Sequence, residues 1–231
     1  DGMSMIGIAR EVSALLQTKL TNPEISEDLS ISKFKPQIKN TNCINDDSIY
    51  SITNINNLDG KNLSPKWLRD RLEKSDIKTI NLIVDITNYI LLEQGQPLHA
   101  FDKDKLKNLT GKSVSKDDFG IRDANDGEKL LALDGNTYKL NKNIAVITCV
   151  DIPIAIAGVI GGMESSVTDS TTSIFLEAAV FNPTSIRKSS KEIGLRTESS
   201  SRFEKGISNK NTIPSVKRAL KLFNEFFKTS E

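Results

Sequence analysis

Histidine is nearly missing from this chain. His99 is the only one in 231 residues, beside two cysteines, one tryptophan and an aromatic content of 6%. No Cys, Asp or Glu stands at metal-ligand spacing from His99, so no metal is expected. Cys43 and Cys149 are too few and too far apart for a disulfide framework, which fits a reducing, cytoplasmic setting. No apolar run approaches the ~20 residues of a membrane span, and no signal-peptide pattern opens the chain. Asn62-Leu-Ser64 and Asn108-Leu-Thr110 match the glycosylation pattern, but without a secretory signal they read as chance. An excess of one charge is also missing. The 31 Lys and Arg against 30 Asp and Glu exclude the basic surplus of a protein that grips nucleic acid unaided.

What is present suits a folded globular chain. The length is sufficient for a core, and 37% hydrophobic with 26% charged residues is ordinary composition. Met5, Ile8, Ala9, Val12, Leu15 and Leu16 follow helical spacing behind Ser4 as N-cap. Residues 17–31 turn polar and read as a loop. Residues 49–55 are strand-like, and 56–63 form a turn-rich connection. Ser64-Pro65 predicts a helix start, with Ser capping, and Trp67, Leu68 and Leu72 give that helix a buried face. Leu82, Ile83, Ile86, Tyr89 and Ile90 form a second helix that runs into Gly95.

Beyond His99 the period changes to short strands at 119–124, 129–133, 137–140, 144–150, 152–157 and 174–180. Asp126-Gly127 and Asp134-Gly135 are hairpin signals. Asn182-Pro183 opens a helix that Gly194 stops, and Ile213, Val216, Leu220, Phe223 and Phe227 mark the core face of a terminal helix. Helices at both ends of a largely antiparallel middle argue α+β.

Few residues can carry chemistry. His99 follows a helix-stop turn and is able to donate, accept or carry charge near neutral pH; alternatively its nitrogens satisfy nearby backbone. Glu177 lies in the apolar run Ile174-Phe-Leu-Glu-Ala-Ala-Val180. It faces a cleft, meets a donor, or points to solvent on an alternating strand. Gly158, Gly161 and Gly162 lack the Lys-Ser/Thr of a P-loop and the full dinucleotide fingerprint, so a tight turn with close backbone approach fits best. Thr197 leads a hydroxyl-rich loop with Ser199, Ser200 and Ser201.

Four segments share one resemblance. Asp85-Ile-Thr-Asn-Tyr with Gly95-Gln-Pro-Leu-His-Ala-Phe-Asp102 resembles the central tRNA-editing module of the bacterial phenylalanyl-tRNA synthetase beta subunit. So do Ile6-Gly-Ile-Ala-Arg-Glu-Val-Ser-Ala-Leu-Leu16, Ala157-Gly-Val-Ile-Gly-Gly162 with Leu176-Glu-Ala-Ala-Val-Phe-Asn-Pro183, and Gly194-Leu-Arg-Thr-Glu-Ser-Ser-Ser-Arg-Phe-Glu-Lys-Gly206. They occur in the family's order and span almost the whole chain.

The resemblance implies a layered α+β module containing a β-sandwich of unusual topology flanked by helices. It implies one editing module of interleaved lobes over 1–231, excised from a longer beta chain, with a lead-in helix at 1–20 and a terminal helix at 211–228. The implied task is hydrolysis of tyrosine attached by mistake to tRNA(Phe), because a hydrophobic pocket rejects an added hydroxyl poorly. His99, Thr87 and Thr197 would contact the ester or orient the attacking water. Glu177 would read the tyrosine hydroxyl, with Gly161, Gly162, Ser199 and Asn88 lining the substrate. No metal or cofactor is implied here; the parent enzyme would use ATP and Mg, for which this segment shows no site. Partners would be the tRNA 3′ end, the rest of the beta subunit and the alpha subunit, with no membrane. Ser199 stands where the family commonly has Ala, and Lys78-Thr79 where Arg-Pro is usual. The first strand also looks shortened. A non-catalytic tRNA-positioning scaffold and a free-standing hydrolase of mischarged tRNA are the competing readings.

Overall fold

The computed structural model describes residues 2–26, 36–39, 41–45 and 48–227. In chain order the elements are α1 (Met5–Leu16), β1 (Gln37–Lys39), β2 (Tyr50–Ile55), α2 (Lys66–Glu73), α3 (Leu82–Gln94), β3 (Leu98–Asp102) and α4 (Lys103–Thr110). Then follow β4 (Phe119–Asp123), β5 (Lys129–Leu131), β6 (Thr137–Lys139), β7 (Ala145–Cys149), β8 (Ile152–Ile156), β9 (Ile160–Gly161) and β10 (Ile174–Ala179). Three helices close the chain: α5 (Pro183–Ile193), α6 (Glu198–Phe203) and α7 (Asn209–Phe226).

Local chemistry explains most boundaries. Asn81 caps α3 by accepting from Val84 N–H, and Gly95 ends it at φ 74°, a left-handed position that suits glycine. Asn182 caps α5 ahead of Pro183, and Gly194 stops it at φ 67°. Ser4 caps α1 by accepting from Gly7 N–H.

The sheets define the layers. β2, β10 and β3 form a three-stranded antiparallel sheet with β10 in the centre. A five-stranded sheet runs β1-β4-β7-β8-β9, with β1 parallel to β4. One face of the small sheet presents Ala100, Ile174 and Leu176 to Leu68, Leu72, Ile83, Ile86, Ile90 and Phe223 of α2, α3 and α7. The other face presents Tyr50, Ile52, Phe101, Phe175 and Ala179 to the large sheet. Phe119 joins the two sheets, with ring centroids 5.6 Å from Phe101 and 5.3 Å from Phe175. The architecture is α+β and layered: helices, small sheet, large sheet.

Several local expectations are corrected. The Ser64 hydroxyl does not cap α2; it donates to Asp85 Oδ2 at 2.6 Å, because the buried Asp85 carboxylate needs donors more than the helix end does. Trp67 is 36% exposed, edge-on to Tyr89 with the Arg71 guanidinium 5.0 Å from its ring, so it roofs the helix layer rather than filling it. Asp134-Gly135 does connect the paired β5 and β6. Asp126-Gly127 is a turn but not a hairpin, since the preceding β4 pairs with β1 and β7. Thr197 to Ser201 is no loop: Thr197 and Ser200 form a capping box that starts α6. The terminal helix begins at Asn209, and residue 228 of the expected span lies outside the described residues, as do 27–31 of the expected polar loop.

The apolar stripe of α1 is also largely uncovered here, with Leu15 81% and Leu16 67% exposed, whereas Leu68 is fully buried. Leu68→Ala is therefore expected to destabilise this chain by about 2–5 kcal/mol, and Leu15→Ala by no more than about 0.5 kcal/mol. Denaturant unfolding of both variants checks the contrast.

Candidate functional site

The register of β10 creates the site. Glu177 pairs directly with His99 on β3 and with Ile52 on β2, so the carboxyl and the imidazole leave the same face of the sheet. That face looks toward the large sheet. There a cleft of about 420 Å³, part of it open to solvent, is lined by His99, Glu177, Gly161, Ser199, Phe181 and Phe203 among others. The β8–β9 hairpin forms one wall, with the Gly158 turn at φ 66°. The N-terminal turn of α6 forms another.

His99 is held from two sides. Its ring lies edge-on to Phe101, centroids 4.5 Å apart, and its other side meets Gly161. A Cβ at Gly161 would stand 2.7 Å from His99 Nε2 and closer still to Cε1. Glycine at 161 is thus the condition for the ring's position. Nε2 itself is buried and has no hydrogen-bond partner among the described residues. A ring nitrogen left unpaired beside a cleft can accept or donate one further hydrogen bond.

Both ionisable groups are driven toward neutrality. Burial pushes the His99 imidazole down to about 4. Burial pushes the Glu177 carboxyl up to about 8, opposed in part by a hydrogen bond with Tyr50. Near pH 7 the cleft therefore presents an uncharged imidazole facing the same space as a carboxylic acid. Tyr50, whose hydroxyl is raised well above its ordinary value by burial and then by Glu177, completes the group.

The expected site residues divide. His99, Glu177, Gly161 and Ser199 line one cleft. Thr197 is not in the lining but braces it: its hydroxyl donates to Val159 O at 2.8 Å and accepts from Ser200 N–H at 3.1 Å, fixing α6 against the β8–β9 turn. Gly162 does not line the cleft; its Cβ would meet Ile154 O at 2.6 Å, so it serves close backbone approach in the hairpin. Thr87 and Asn88 are also outside the lining. They sit on α3, whose apolar side packs against the opposite face of the small sheet, and the Thr87 hydroxyl donates to Val84 O at 2.7 Å. Among the described residues, no group of three His, Cys, Asp or Glu side chains is placed to hold a metal ion.

Sequence reasoning missed Tyr50 and Gln96. Gln96 is fully buried, donating to Ala179 O at 2.9 Å and Pro97 O at 3.1 Å while accepting from the Thr212 hydroxyl at 3.0 Å. It ties the ends of β3 and β10 to α7. Its only sequence signal was a long polar side chain set between a helix stop and an apolar strand.

With this geometry in view, comparison with known proteins identifies the class. The B3/4 domain family matches residues 47–228, and the chain belongs to it. Along 98% of its length the chain is 60% identical to the phenylalanine–tRNA ligase beta subunit of Prochlorococcus marinus strain MIT 9312. It is 61% identical, over the same share, to the protein of that name from Prochlorococcus marinus subsp. pastoris. A Synechococcus protein of the same name is 46% identical across the whole chain. The chain spans 28% of the length of each of these relatives. No helix among the described residues is long and apolar enough to cross a membrane.

Two expected outcomes test the cleft. A carboxyl raised from 4.5 to about 8 favours the folded state fully below pH 4.5 and loses that contribution as pH rises through 8, a change of roughly 3–5 kcal/mol. Glu177→Gln should therefore melt progressively higher than the parent sequence between pH 5 and 9, with the difference smallest near pH 4. His99 has the opposite sign, its contribution being lost as pH falls from 6.5 through 4, and it cancels in that comparison. Gly161→Ala should displace the imidazole at a cost of about 1–3 kcal/mol. With one histidine in the chain, its proton NMR resonances report this directly, and the ring's titration should move up from about 4 toward 6.5.

Proposed function

We propose that this module hydrolyses the ester joining tyrosine to the 3′ end of tRNA(Phe), as the editing part of a phenylalanine–tRNA ligase beta chain. The complete enzyme would attach phenylalanine to tRNA with ATP and Mg, in the cytoplasm, beside an alpha subunit. The observation that carries the reading is the cross-strand pair of a buried Glu177 and a half-buried His99 at one cleft, with Nε2 buried and unpartnered among the described residues.

The chemistry follows from those groups. Water adds to the ester carbonyl carbon, the carbon–oxygen bond to the ribose breaks, and the proton released by water ends on the ribose oxygen. An imidazole near pKa 4 is unprotonated at pH 7 but a weak base, so His99 orients water or ester rather than removing a proton outright. Phe181 and Phe203, edge-on at 5.0 Å, supply an apolar bed for an aromatic ring. The Glu177 carboxyl then meets the para position. A tyrosine hydroxyl adds a hydrogen bond to the one the carboxyl shares with Tyr50; phenylalanine covers the carboxyl without supplying that bond, at a cost of about 1–3 kcal/mol.

Glu177→Ala in the complete enzyme is expected to lower kcat/KM for Tyr-tRNA deacylation by roughly 10- to 100-fold and to leave slow Phe-tRNA deacylation within about threefold. Parallel deacylation of the two charged tRNAs reads this out. Equal losses on both would make Glu177 a base rather than a reader of the hydroxyl. No deacylation by the unaltered enzyme would favour a scaffold role.

A further inference from the structure

A second cavity lies behind the first. It encloses about 1140 Å³ of space, part of it open to solvent, and its lining includes Gln94, Gly95, Arg202, Lys205, Ser208 and Asn211. The two cavities share their walls. On α6, Ser199 and Phe203 face the ester cleft while Arg202 lines the second cavity, joined by Lys205 just past the helix end. In the turn after α3, Pro97 faces the first and Gly95 the second.

The unpaired charge of the second cavity, among the described residues, is that of Lys205, since Arg202 is ion-paired with Glu198. Among the described residues its lining holds two cations and no carboxylate. Arg202 is 6% exposed and rigidly placed: Nη1 donates to Glu198 Oε2 at 2.6 Å and Nη2 to Met3 O at 3.1 Å. Its Nε is buried with no hydrogen-bond partner among the described residues. Lys205 is exposed and makes no ion pair among the described residues. A cavity with a fixed guanidinium and a free ammonium suits an anion, and the proposed substrate is a polyanion whose reacting end enters next door.

We infer that the Arg202–Lys205 cavity receives phosphodiester groups of the 3′-terminal strand while the esterified end occupies the His99–Glu177 cleft. The inference rests on the proposed hydrolysis. A helix with its side chains is about 10 Å across, which roughly three stacked nucleotides at 3.4 Å per step would span. The strand would cross the α6 end, with the free Lys205 ammonium as the phosphate contact and Arg202, balanced by Glu198, holding the wall rigid. One or two such contacts also agree with a chain whose formal net charge is only +1.

The test uses the complete enzyme with two substrates: Tyr-tRNA and the 3′-tyrosyl ester of adenosine, which has no phosphate. Lys205→Glu is expected to raise KM for Tyr-tRNA about 5- to 10-fold with kcat within twofold, and to leave hydrolysis of the adenosine ester unchanged. Lys205→Ala should reduce the slope of log KM against log salt by about 0.7, and Lys205→Arg should keep both KM and slope. Unchanged KM for Tyr-tRNA in Lys205→Glu overturns the inference while leaving the hydrolytic reading intact, and so does an equal loss on both substrates. Failure of the unaltered enzyme to hydrolyse either substrate removes the hydrolytic reading and the inference with it.

Discussion

Strand β10 is buried along its whole length and on both faces, and the rest of the structure depends on the register this forces. Its even-numbered residues Ile174 and Leu176 face the helix layer, while Phe175 and Glu177 face the large sheet. A slip by one residue would exchange the two sets, burying the carboxyl among leucines and isoleucines of α2 and α3. The apolar demand of both neighbouring layers therefore fixes where the one ionisable side chain of the strand points. Pairing with β3 then places His99 opposite it without any direct bond between the two.

Burial of the ionisable atoms is the second property of the site. Burial disfavours charge on either group, moving the acid and the base in opposite directions until both are neutral near pH 7. An isolated buried charge would be costly, and a neutral pair with unfilled hydrogen-bonding capacity costs less while remaining selective for polar ligands. Tyr50 moderates this by sharing a hydrogen bond with Glu177.

The frame around the site is held by polar devices as much as by apolar contact. Arg218 on α7 donates to Glu93 at the end of α3 at 2.9 and 3.2 Å, and the Tyr89 hydroxyl donates to the same carboxylate at 2.9 Å. Gln96 binds three elements at one buried point. Thr197 fastens α6 to the β8–β9 turn, which fixes the distance between Ser199 and Gly161 across the cleft.

The amino-acid order alone determined the elements governed by short-range chemistry. Asn81 and Gly95 bound α3, Asn182-Pro183 and Gly194 bound α5, and the alternating runs from 119 to 180 become strands, because caps, proline and glycine act within a few residues. His99 and Glu177 were legible as candidate site residues because each is chemically out of place in its segment, and both line the one cleft. Tertiary structure decided everything that depends on which face meets which layer. It drew Ser64 away from its helix to Asp85, put the Asp126-Gly127 turn between different sheets, and left the α1 stripe uncovered. It also kept Thr87, Asn88 and Gly162 out of the cleft, brought in the Phe181–Phe203 pair, and set Tyr50 against Glu177. Those outcomes rest on contacts between residues tens to more than a hundred positions apart, and no local pattern encodes a partner at that distance.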